Sequence, residues 1–68
     1  MRTLQFGIEN KKDLILTVIK FDSEYTLPLY VVEDKEGIKG SSKINWKKAL
    51  YNYNKNKKRK ILQKTIDK

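Results

Sequence analysis

The chain has no histidine, no cysteine and a single proline, and after Glu36 its only acidic residue is Asp67. Without histidine or cysteine it lacks the usual base near neutral pH and the usual thiol nucleophile, so general acid–base and covalent catalysis have little to stand on. The missing cysteine also removes disulfides and thiolate zinc sites as staples for a weak core, and it suits a reducing compartment. A chain of 68 residues makes one domain at most and buries only roughly 60% of its unfolded surface. Its stability must come from packing, helped by self-association or a ligand.

A long apolar run is absent as well. Lys11-Lys12-Asp13 followed by Leu14 to Ile19 superficially copies a signal peptide, but Thr17 interrupts the run, Lys20 ends it and no small-residue cleavage site follows. A spanning helix would need about 20 apolar residues. The expectation is a soluble, cytoplasmic protein with no membrane span.

What the chain has is charge, unevenly placed. Residues 1–38 hold Arg2, Lys11, Lys12, Lys20 and Lys35 against seven acidic side chains, whereas residues 39–68 hold eleven basic side chains against Asp67. So many like charges either face a polyanion or stay solvated. Fourteen lysines, seven isoleucines and five asparagines also fit the codon bias of an A+T-rich genome, which makes lysine number weak evidence. That bias does not explain the loss of acidic residues after Glu36.

The patterning predicts an α+β fold in which a small antiparallel sheet of three strands, with room for a fourth, packs against one C-terminal basic helix. Leu4, Phe6 and Ile8 alternate with Thr3, Gln5 and Gly7, the period of a half-buried strand over about residues 3–8. Residues 14–21 (LILTVIKF) are dense in β-branched and aromatic types and read as the central strand. Residues 27–33 resume that composition, with Pro28 placing the strand at an edge or at its own start. Asp34 to Gly37 is a turn in which Gly37 can take positive φ. Ile38-Lys39 either return as a fourth strand or lead away, and Gly40-Ser41-Ser42 is expected to act as a flexible joint and helix N-cap.

From Lys43 the period becomes helical. Trp46, Ala49, Leu50 and Tyr53 form a core-facing stripe of a helix over about residues 43–55. The stripe then runs into Lys57 and Lys60, and Asn52, Asn54 and Asn56 are poor helix formers. Packing on the sheet should therefore end near residue 55, completing a single domain over 1–55 and leaving residues 56–68 as a basic helical extension or tail. Ile61, Leu62 and Ile66 offer a small apolar cluster through which a homodimer could form.

The candidate binding residues are Lys47, Lys48, Lys55, Lys57, Lys58, Arg59, Lys60 and Lys64, with Tyr51 among them. Cations spaced along one helix suit nucleic-acid phosphates, DNA or RNA, because binding releases condensed counterions, and an exposed aromatic can stack on an unpaired base. Only Arg2 and Arg59 are arginine. Lysine acts as a point charge where arginine reads guanine edges, so the balance favours backbone contact with low sequence specificity.

Other classes fit less well. A small phage or mobile-element inhibitor, docking its basic helix on an acidic host protein or a ribonucleoprotein, is the competing reading. Membrane attachment would want bulky apolar residues opposite the lysines. Glu33-Asp34-Lys35 with Asp22 upstream resembles a metal-dependent nuclease signature, but a charged hairpin turn explains the cluster better. Neither a catalytic residue, a metal nor a cofactor is expected.

Overall fold

The computed structural model describes the backbone of residues 1–66 and the side chains of residues 1–60. Four strands, β1 (Arg2–Ile8), β2 (Lys11–Lys20), β3 (Leu29–Glu33) and β4 (Lys39–Ser42), precede one helix, α1 (Trp46–Ile66). The strands form a meander in the order β1-β2-β3-β4, each antiparallel to its neighbour. The molecule is thus a small α+β fold, with α1 packed on the β3–β4 side of the sheet.

The turns follow from local chemistry. Ile8 pairs with Lys11, so Glu9-Asn10 close the first hairpin, with Asn10 left-handed at φ 64°, a conformation asparagine tolerates better than most residues. The longer connection from Phe21 to Pro28 ends where β3 begins. Pro28 has no N–H to give a ladder, and β3, an interior strand, starts at the next residue. Between β3 and β4, Gly37 takes φ 89°. The Asp34 carboxylate there accepts hydrogen bonds from the Glu36 and Ile38 N–H groups at 2.9 and 3.0 Å.

Side-chain alternation places Leu14, Leu16 and Val18 of β2 and Tyr30 and Val32 of β3 on the helix side of the sheet. The buried core is Leu14, Val32, Ile38, Ala49 and Tyr53, with Ile8, Leu16, Tyr30 and Leu50 packed around it. The interior is small because α1 lies over only half of the sheet.

Two expectations are corrected. Gly40 is part of β4, and it is the point of closest approach between sheet and helix: a Cβ there would collide with the Tyr53 backbone N and lie 2.5 Å from the Ala49 carbonyl oxygen. Strand and helix backbones can touch at this position only if the residue has no side chain. The helix starts at Trp46, three residues later than the periodicity suggests, because Asn45 is the cap, its Oδ1 accepting the Lys48 N–H at 2.8 Å. Ser42 instead accepts the Ile44 N–H at 3.0 Å and shapes the approach to the helix. Past residue 55 the chain follows the helical course of the two expected for the basic segment. The helix runs 21 residues in all, from Trp46 to Ile66, about 32 Å at 1.5 Å per residue, and overhangs the sheet.

Candidate nucleic-acid interface

Two asparagines anchor the helix that carries the candidate site. Asn52 Nδ2 donates to the Ser41 carbonyl at 2.8 Å, and Asn56 Nδ2 to the Lys39 carbonyl at 2.6 Å. Residues four apart share a helix face, and alternate carbonyls of an edge strand point outward, so the two amides meet two successive free acceptors of β4. Asn56 makes the last of these contacts. Beyond it the helix has no sheet beneath, and its inward meridian changes from apolar to cationic.

That geometry divides the predicted residues. At about 100° per residue, Lys47, Lys48, Tyr51, Lys55, Lys58 and Arg59 fall within about 60° of the direction opposite Tyr53. They make one outward face, and all are exposed. Lys57 and Lys60 lie on the Tyr53 meridian, past the end of the sheet, and are also exposed. The side chains of Lys64, Ile61, Leu62 and Ile66 lie outside the described residues. Among those that are described, none of these cations has a carboxylate within 4.0 Å; the lysine–carboxylate pair found joins Lys39 and Glu33 at 3.8 Å across β3–β4.

Tyr51 is the centre of the outward face. Lys48 Nζ lies 4.8 Å and Lys55 Nζ 5.2 Å from its ring centroid. An exposed cation–π contact contributes roughly 0.5–1 kcal/mol, against about 1–3 kcal/mol for a base stacked on an aromatic ring. A base can therefore displace an ammonium from the ring, and the ammonium remains near the phosphates attached to that base. No acidic residue lies in the first turn of α1, so Lys47 and Lys48 stand unneutralised at the positive end of the helix dipole.

Lys57 belongs to a different environment. With Lys11, Lys12 and Lys35 it borders an open cleft of about 510 Å³ whose acidic members are Asp13, Asp34 and Glu36. Tyr53 Oη donates to Asp34 Oδ2 at 2.7 Å. This hydrogen bond holds the Asp34 carboxyl below its ordinary value; desolvation opposes it, and the Ile38 and Glu36 amides and the Lys57 charge reinforce it. Tyr53 is pushed up to about 12, first by burial and then by the bond to Asp34 and its charge. Both Asp34 oxygens are occupied in holding the turn to the helix.

Trp46, expected in the core, is 38% exposed and lines a shallow groove with Gly7, Ile8, Glu9, Asn10 and Leu16. Its position on the stripe is as predicted, but the helix begins at the margin of the sheet, where little covers its first turn. Sequence reasoning missed the roles of Gly40, Asn52 and Asn56. A glycine inside β4 was the one available signal, since glycine in a strand marks close backbone approach.

Among the described residues no helix is long and apolar enough to cross a membrane. No family model, no curated protein and no solved structure matches the chain.

Proposed function

We propose that the protein is a non-catalytic nucleic-acid-binding domain that meets phosphates through the outward face of α1. Lys47, Lys48, Lys55, Lys58 and Arg59 make the contacts, Lys57 and Lys60 extend them past the sheet, and Tyr51 offers a stacking surface. The observation that carries this reading is the placement of five cations around an exposed tyrosine on one helix face, with no carboxylate paired to any of them among the described residues. Holding so many like charges together opposes compaction, and polyanion binding reverses that penalty. Lysine dominance makes the recognition one of backbone rather than sequence. Cellular nucleic acid is accessible from the cytoplasm, the setting this reading assigns to the protein.

Titration of labelled single- and double-stranded DNA and RNA at two salt concentrations tests it. If about five phosphates of duplex DNA are neutralised, log affinity falls against log salt with a slope near −4.5. An absence of binding to all four probes at low salt would reject the proposal and favour an acidic protein surface as the partner.

A further inference from the structure

The two edges of the sheet are finished differently. At β4, four residues long, the carbonyls of Lys39 and Ser41 are taken up by Asn56 and Asn52. At β1, seven residues long, no described element lies outside the strand. Neither lysine nor proline interrupts it, although these are common devices that keep an edge from pairing. Every β1 side chain except that of Ile8 is exposed. Leu4 and Phe6, 36% and 48% exposed, lie on the helix side of the sheet, on the half that α1 leaves uncovered.

We propose that β1 is a homodimerisation edge, pairing antiparallel with β1 of a second copy about a two-fold axis at Gln5. In that register Leu4 of each copy stands opposite Phe6 of the other, on the same face, so two exposed apolar pairs join into one cluster across the axis. The charges agree with the direction of pairing. β1 begins with Arg2 and is followed by Glu9, and the antiparallel arrangement brings Arg2 of each copy beside the Ile8–Glu9 end of the other. A parallel arrangement would set like charges together.

The basic halves do not oppose this contact. An axis perpendicular to the sheet leaves both α1 helices on one face, over β3 and β4 of their own copies. At 4.8 Å per strand they lie roughly 30 Å apart, more than three Debye lengths at about 8 Å each in physiological salt. Pairing through β4 would instead crowd the two cationic helices together, on an edge whose acceptors are already filled.

The absence of cysteine makes the test direct, because Gln5→Cys introduces the sole thiol at a residue that meets itself on the axis. Mild oxidation should give a disulfide-linked dimer from Gln5→Cys but not from Ile15→Cys, which is exposed on the same sheet face as Gln5 but on β2, one strand in from the edge. Sedimentation equilibrium of the unmodified chain should show the mass rising with concentration from 8.1 kDa toward twice that value. Phe6→Lys should restore the single-chain mass with an unchanged circular dichroism melt. A single-chain mass at every concentration up to about 1 mM overturns the proposal. So does a dimer that survives Phe6→Lys, whether Val31→Lys on the opposite face breaks it or not. None of these measurements contains nucleic acid, so their outcome is separate from that of the binding titration.

Discussion

The Tyr53 hydroxyl donates to Asp34 at 2.7 Å and so ties the middle of the helix to the β3–β4 turn. The same carboxylate accepts the Glu36 and Ile38 amides, which makes Asp34 the joint between the helix and the hairpin it covers. Asp34 thus has a structural task in the β3–β4 turn.

The pair gives stability a dependence on pH whose sign is fixed. Asp34 titrates below its ordinary 3.8 in the folded chain, so its contribution is present above that value and is lost as pH falls through the lower folded pKa. Tyr53 rises from 10.0 to about 12; its contribution is intact below pH 10 and is lost as pH climbs from there toward 12. Thermal melts of Tyr53→Phe should run below those of the unmodified chain by a few degrees near neutrality, and the gap should narrow between pH 10 and 12. A gap constant over that interval would mean that the hydroxyl is not held as described.

Gly40→Ala should be the most damaging single-methyl change in the protein. The added carbon meets the Tyr53 and Ala49 backbone, which cannot rotate away as a side chain would. Overpacking costs typically about 1–3 kcal/mol and occasionally more, and here the upper end or beyond is expected, a fall in Tm on the order of 10 °C or more for a domain of this size. Gly7→Ala, with nothing within 4 Å of its added carbon, is the matched control and should change the melt little.

Asn52→Ala with Asn56→Ala separates two views of these residues. Alanine is the better helix former by up to about 0.7 kcal/mol per position, so the double change should raise Tm if the asparagines were merely surface residues. Two lost hydrogen bonds to β4 carbonyls cost roughly 0.5–1.5 kcal/mol each, and the expected result is a lower Tm. Amide exchange in β4 should quicken in the same variant.

Replacing Lys55, Lys57, Lys58, Arg59 and Lys60 by glutamine should leave Tm unchanged or slightly higher, since each is exposed and their mutual repulsion is relieved. In the proposed function the same variant loses most of its affinity for nucleic acid, and the salt slope flattens by roughly 0.9 for each duplex phosphate contact removed. Loss of folding would show that this segment carries structure through its charges.

Tyr51→Ala tests the stacking role separately. Affinity for single strands should fall by an amount corresponding to roughly 1–3 kcal/mol per stacked base, while duplex binding, which relies on phosphates, should change much less. An equal loss on both would assign Tyr51 to holding Lys48 and Lys55 in place.

The first three strands were legible because their signals are local. Period-two alternation marks β1, β-branched density marks the interior position of β2, and Pro28 marks the start of β3. Gly37 was expected at positive φ and is found there. The stripe through Ala49, Leu50 and Tyr53 was visible for the same reason: a helical repeat is a property of spacing alone. The helix boundaries were not legible, because Asn45 competes with Ser41 and Ser42 as a cap on equal local terms and only the path out of β4 decides among them.

The sequence by itself determined the first three strands and the helix as element types, the turns between those strands and a charge asymmetry that no folding can remove, all of them consequences of side-chain chemistry over a few neighbouring residues. Tertiary structure alone decided that Gly40 carries the helix crossing, that Asn52 and Asn56 close one sheet edge while β1 stays open, and that Lys57 borders the same cleft as Asp34. These depend on where α1 meets the sheet, and that placement follows from packing residues brought together from distant parts of the chain, which no local pattern encodes.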